Sequence, residues 1–178
     1  MRSAIFLDRD GVINRAIVRE GTPQPPCSLR ELEILPQVSE ALHALKARGY
    51  VLVVVTNQPD VARGSLSRER VEQIHARLRA ELCLDAILTC FHDNADDCDC
   101  RKPKPGLLLR AARELDLDLP SSFMVGDRWR DVEAGQRAGC RTFHIAGDYR
   151  ERPPASCDFR VGSLHEAAGI VLALADSK

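Results

Sequence analysis

Val51-Leu52-Val53-Val54-Val55 runs directly into Thr56-Asn57-Gln58. Five consecutive apolar residues, four of them β-branched, leave no polar face. Such a segment suits a strand covered on both sides, the position of a central strand in a parallel sheet. Four more short runs read as strands: Ala4 to Leu7, Ala86 to Thr89, Ser122 to Val125 and Arg141 to Ile145. Segments of helical period lie between them. Val38 to Lys46 is amphipathic, begins after Pro36 and stops at Gly49, with proline before the helix and glycine after it. Ser67 reads as an N-cap for a helix that gathers Val71, Ile74, Leu78 and Leu82 on one face. Leu107 to Leu115 and Asp131 to Ala138 are two further helices, the second closed by Gly139. Alternating strands and helices predict an α/β fold, a three-layer, Rossmann-like parallel sheet with helices on both faces.

The 178 residues suit a single domain spanning 1–178. A hydrophobic share of 44% is enough to fill a core, and 29% charged residues argue for a soluble surface. The formal charge of −1 gives no basic excess, so neither nucleic acid nor an anionic membrane is an expected partner. No apolar run is long enough for a signal peptide or a membrane span, and a cytoplasmic monomer is expected. Two stretches are irregular: Arg15 to Leu35, broken by Gly21, Pro23, Pro25 and Pro26, and Cys90 to Gly106. Both read as long loops.

In open parallel sheets ligands sit outside the carboxyl ends of the strands. Here those ends deliver Asp8-Arg9-Asp10-Gly11, Thr56-Asn57-Gln58, and Gly126-Asp127 followed by Asp131. A single aspartate at such a place is most often a helix cap. Four converging on one edge repel one another unless a cation shares them, and hard oxygen ligands suit Mg²⁺.

The second long loop carries Cys90-Phe91-His92 and then Cys98-Asp99-Cys100. Three thiols and an imidazole within eleven residues match a closed tetrahedral Zn²⁺ site, structural because no position is left for water. The alternatives are disulfides or free thiols, but a bridge between Cys98 and Cys100 is strained and a reducing compartment disfavours any bridge. Arg101 and Lys102 follow Cys100 directly, so the metal's expected service is to aim those cations. Cys27, Cys83, Cys140 and Cys157 have no partner spacing and read as buried or free thiols.

Asp8-x-Asp10-Gly11, Thr56-Asn57, Lys102-Pro103 and Gly126-Asp127-x-x-x-Asp131 appear in the order found in the haloacid dehalogenase-like phosphohydrolases, which the chain resembles over nearly its whole length. That resemblance implies an aspartyl-phosphate mechanism, with Asp8 as nucleophile and Asp10 as acid and then base. It implies that Asp8, the Asp10 carbonyl and Asp127 hold Mg²⁺, that Thr56 and Lys102 bind phosphoryl oxygens, and that Asp131 supports the metal or orients Lys102.

The zinc loop, Thr56-Asn57-Gln58 and Ala62-Arg63-Gly64 are similar to one branch of that family, containing heptose bisphosphate phosphatases and a histidinol-phosphate phosphatase domain. By this resemblance Asn57, Gln58, Pro59, Arg101 and Arg128 contact substrate, a small phosphorylated metabolite, and a heptose 1,7-bisphosphate losing its 7-phosphate is the leading expectation. The match departs at Arg15 to Arg19 and at Asp60, in or near loops that would touch the sugar. The intervals where relatives insert cap domains are already filled, so the chain is expected to be capless. Loop arginines, namely Arg15, Arg19, Arg63, Arg101 and Arg128, could then grip a second phosphate. Histidinol-phosphate phosphatase is the alternative enzyme, and a non-catalytic zinc-stiffened binding module the remote one.

Overall fold

The computed structural model describes residues 1–147 and 149–176. Six strands form one sheet in the order β5-β4-β1-β6-β7-β8, every neighbouring pair parallel. They are β1 (Ala4–Leu7), β4 (Val51–Asn57), β5 (Ala86–Cys90), β6 (Phe123–Gly126), β7 (Arg141–Ile145) and β8 (Phe159–Val161). The helices are α1 (Val38–Ala47), α2 (Arg68–Glu81), α3 (Gly106–Leu115), α4 (Trp129–Ala138) and α5 (Leu164–Asp176).

Strand alternation divides the core into two layers. Ile5, Leu7, Leu52 and Val54 face one side, packed with Leu42 and Leu45 of α1, Ile74 and Leu78 of α2, and Ala168 and Val171 of α5. Ala4, Phe6, Val51, Val53 and Val55 face the other, against Leu107, Leu108 and Ala111 of α3 and Ala134 of α4. All five residues of the run from Val51 to Val55 are buried, which is why it carries no polar alternation. Full burial of one leucine such as Leu42 is worth roughly 1.5–3 kcal/mol. Ser67 caps α2 as its position suggested, its side chain accepting from Arg70 N at 3.3 Å.

The expected elements are present, with three differences. The strand expected from Ser122 runs one residue later, because the Ser122 hydroxyl turns back to bond Ala4 N at 2.9 Å and Asp118 O at 2.6 Å. The loop from Arg15 to Leu35 contains an antiparallel hairpin, β2 (Ile17–Arg19) and β3 (Thr22–Gln24). Finally, β8 and α5 extend the sheet and its cover beyond β7; β8 is only three residues long, with Arg160 exposed between Phe159 and Val161, too short for periodicity to reveal. No helix among the described residues is long and apolar enough to cross a membrane.

Candidate active site

Because β4, β1 and β6 are adjacent and parallel, their carboxyl ends open on the same edge. The β1 ladder continues one bond past the strand, Asp8 N donating to Val125 O at 2.9 Å, and this fixes the start of the Asp8 turn. Gly11 then takes a left-handed φ of 89°, and a Cβ there would stand 2.0 Å from Asp127 Oδ2. Only glycine lets the turn pass so close to that carboxylate.

Asp8, Asp127 and Asp131 each bring a carboxylate oxygen within 4.8 Å of the others, and all three are buried. Lys102, only 2% exposed, reaches in from the loop that follows β5. Its ammonium donates to Asp8 Oδ1 at 2.7 Å and to Val55 O at 2.8 Å, and pairs with Asp131 Oδ1 at 2.6 Å. Burial pushes Asp8 up to about 6, opposed by Lys102 and reinforced by Asp131 and Asp10. Burial works against the Lys102 charge, but Asp131 and Asp8 outweigh it and raise the lysine above its ordinary value. Asp131 also caps α4, its Oδ2 accepting from Arg128 N at 2.9 Å.

One ammonium cannot balance three buried carboxylates. Asp127 shows the deficit: burial, then the charges of Asp8 and Asp131, push it well above the carboxylate range. The Tyr149 phenol approaches it, yet neither oxygen of Asp127 completes a hydrogen bond of sound geometry. Orphaned anionic oxygens beside a second carboxylate suit a hard divalent cation.

Asp10 is held differently. Its Oδ1 accepts from Arg9 Nε at 3.1 Å and Asn14 Nδ2 at 3.0 Å, and its Oδ2 from Arg9 Nη2 at 3.0 Å and Gln58 Nε2 at 2.9 Å. Gln58 also donates to Thr56 Oγ1 at 2.9 Å. Gln58 is wholly buried by these bonds, which corrects the expectation that it lines the pocket. Asn57 does reach the pocket wall, but its amide is committed to the Lys102 peptide, donating to O and accepting from N, both at 3.1 Å. It thereby ties β4 to the loop that carries the lysine.

Above these groups lies a cavity of about 580 Å³. Pro59 lies on its wall, as do Arg19, Arg63, Arg101 and Arg128, with the β2–β3 hairpin forming one side. Arg15 is elsewhere, paired on the surface with Glu33 at 2.8 Å. Arg130 was missed; it lines the same cavity, and its Nε is buried without a partner. Glu151, also missed, holds Arg128 through Nε at 2.8 Å and a close Nη2 contact, and lies 3.6 Å from Arg130. Position explains the first omission, since the residues opening α4 share the edge where β6 ends. For Glu151 and Tyr149, in the segment after β7, no spacing signal exists.

Cys90, His92, Cys98 and Cys100 converge. Cys100 Sγ is 3.2 Å from Cys90 Sγ, 3.5 Å from Cys98 Sγ and 3.3 Å from His92 Nδ1, while Cys90 Sγ is 3.7 Å from both Cys98 Sγ and His92 Nδ1. A tetrahedral Zn²⁺ with Zn–S bonds of about 2.3 Å has ligand–ligand edges of about 3.7 Å, so the donor set and its spacing fit that ion. Arg101, next to Cys100, folds back on the loop, donating to Asn94 Oδ1 at 2.8 Å and to His92 O at 3.2 Å.

Comparison with known proteins identifies the family. A family model described as haloacid dehalogenase-like hydrolase matches residues 15–139. A D-glycero-beta-D-manno-heptose-1,7-bisphosphate 7-phosphatase of Pasteurella multocida is 42% identical over 151 residues, 78% of either chain. One from Helicobacter pylori is 39% identical over 141 residues, covering 76% of this chain and 78% of its own. Among solved structures, the D,D-heptose 1,7-bisphosphate phosphatase of B. bronchiseptica, complexed with magnesium and phosphate, superposes with a TM-score of 0.83 at 32% identity, covering 97% of this chain and 99% of the other. With a family model spanning most of its length and relatives this similar, the chain belongs to the haloacid dehalogenase-like hydrolases.

Proposed function

We propose that the chain is a Mg²⁺-dependent phosphatase that removes the 7-phosphate of D-glycero-D-manno-heptose 1,7-bisphosphate. Asp8 attacks phosphorus in line, forming an aspartyl-phosphate as the bond to the sugar oxygen breaks, and Asp10 gives that oxygen its proton. Asp10 then takes a proton from water, which attacks the phosphoenzyme, breaks the bond to Asp8 and releases phosphate. Lys102 and Thr56 bind the phosphoryl oxygens, and Asp131 keeps Lys102 aligned. Mg²⁺, held by Asp8, the Asp10 carbonyl and Asp127, supplies charge neutralisation at the phosphoryl group. Zn²⁺ on Cys90, His92, Cys98 and Cys100 stiffens the loop that delivers Arg101 and Lys102.

The observation that carries this reading is the polarity of one cavity. Its floor presents Asp8 in the grip of Lys102, while Arg19, Arg63, Arg101, Arg128 and Arg130 line its walls. A substrate with a phosphate at each end satisfies both regions. We read the chain as one capless catalytic unit whose loops close over substrate. All these residues come from one chain, so the reading needs no second copy, and the thiol ligands suit the reducing cytoplasm.

A panel of heptose 1,7-bisphosphate, the heptose 7-monophosphate and histidinol phosphate, ranked by kcat/KM with Mg²⁺ present, tests the assignment. The bisphosphate should lead by tenfold or more. Equal or faster turnover of histidinol phosphate would overturn the heptose assignment, and no phosphate release from any of them would overturn the phosphatase reading.

A further inference from the structure

Arg9 stands between Asp8 and Asp10 in the chain, yet its side chain turns inward and is completely buried. A buried guanidinium is costly unless its N–H groups are matched. Two serve Asp10, Nε on Oδ1 and Nη2 on Oδ2, a fork that fixes the plane of the carboxylate. The next partner is distant in sequence: Arg9 Nη1 lies 3.0 Å from His75 Nε2, on the buried face of α2.

A guanidinium only donates, so His75 Nε2 accepts and the ring proton sits on Nδ1. That side faces Glu72, whose carboxylate is 3.7 Å away. Burial, then the Arg9 and Arg79 charges, pull the His75 ring down to about 3, against a smaller opposing effect of Asp10. The imidazole is therefore neutral at working pH, the state a buried arginine needs as its acceptor. Both Asp10 oxygens face only N–H donors, which together fix where the carboxylate lies.

We infer that His75 is a positioning residue for the second half of the reaction: its Nε2 locks the Arg9 guanidinium, and Arg9 holds the Asp10 carboxylate in line to take the proton from the attacking water. The inference rests on the reading of Asp10 as base given above. Asn14 and Gln58 each add a single bond to Asp10, so they restrain its oxygens without fixing its plane as a fork does.

The test uses 4-nitrophenyl phosphate with Mg²⁺, because its leaving group departs without an acid and isolates the base step. His75→Leu should lower kcat roughly tenfold while leaving kcat/KM within about twofold, so that KM falls with kcat. A burst of nitrophenolate close to one per active site should appear as phosphoenzyme accumulates. His75→Gln, whose amide oxygen can still accept from Arg9, should restore kcat and remove the burst. If His75→Leu does not fold, His75→Asn, with an amide too short to reach Nη1, replaces it. Asp10→Asn should show a burst of the same size followed by a still slower steady state. A burst in Asp10→Asn with wild-type kinetics in the His75 variant would overturn the clamp and leave the base reading standing. No burst in Asp10→Asn would overturn the base reading and the clamp with it. A parallel fall of kcat and kcat/KM in His75→Leu would reduce His75 to a packing residue.

Discussion

Asp8 Oδ1 lies 2.7 Å from Lys102 Nζ, with both side chains withdrawn from solvent. Ninety-four positions separate the two residues in sequence, and what joins them is the parallel pairing of β1 with β4 together with the Asn57 bonds that pin the Lys102 peptide to the end of β4. The same ammonium is the only cation that directly contacts the Asp8 and Asp131 carboxylates among the described residues.

Removing that ammonium should therefore damage both chemistry and fold. Lys102→Met leaves two buried carboxylates facing each other, and breaking a buried pair in this way costs about 3–5 kcal/mol. Turnover should fall at least a hundredfold and the melting temperature should drop by several degrees, part of it recovered in Mg²⁺. Steady-state rates beside thermal melts check both, and a variant with near wild-type turnover would remove Lys102 from the mechanism.

Asp8→Asn should behave in the opposite way toward stability. Burial lifts Asp8 to about 6, so at pH 7 the folded metal-free protein carries an ionised group that its surroundings disfavour. An amide of the same shape removes that charge. The variant should lose turnover entirely yet melt at or above the wild-type temperature without metal, and it should gain less from added Mg²⁺. Melts with and without the ion separate these outcomes.

Stripping zinc should lower activity through the residues that follow the ligands. Cys100 immediately precedes Arg101 and Lys102, so loosening the loop frees the cations it carries. Elemental analysis should find one zinc per chain in the wild type and none in Cys98→Ser. The variant should lose at least tenfold in turnover with Mg²⁺ present, as expected when groups supporting a site are misplaced. An unchanged rate in fully stripped protein would reject the coupling.

His75 predicts a particular form of acid sensitivity. Its ring is pulled from 6.5 to about 3 by burial, then Arg9 and Arg79, with Glu72 and Asp10 the acids nearby. A base whose folded pKa is depressed contributes its full stability above the unfolded value and loses it as pH falls, because the unfolded chain takes up a proton that the folded one refuses. The loss approaches about 1.4 kcal/mol per pH unit below 6.5. Denaturant titrations at pH 7.5, 6.5 and 5.5 should show a shallower decline for His75→Gln than for the wild type. Parallel declines would mean that the ring is charged or solvated in the fold.

How much of this could be read in advance follows the physical range of each signal. Val51 to Val55 declared a doubly covered strand because its neighbours on both faces are apolar, a property of every residue in the run. The convergence of Cys90, His92, Cys98 and Cys100 was legible because eleven residues of loop can bring only near neighbours together, so sequence spacing and spatial spacing nearly coincide. The β2–β3 hairpin was hidden by prolines, and β8 by being three residues long with one exposed position.

The chain's local chemistry thus settled the alternation of strands and helices, the acids at strand ends and the clustering of Cys90, His92, Cys98 and Cys100, since periodicity and short-range spacing are written in consecutive residues. The order of strands across the sheet, the burial that lifts Asp8 and Asp127, the withdrawal of Gln58 from the pocket, and the inward turn of Arg9 onto His75 belong to tertiary structure alone. Each depends on which distant groups share a low-dielectric interior, where a charge or a hydrogen-bonding atom must find its partner across the fold.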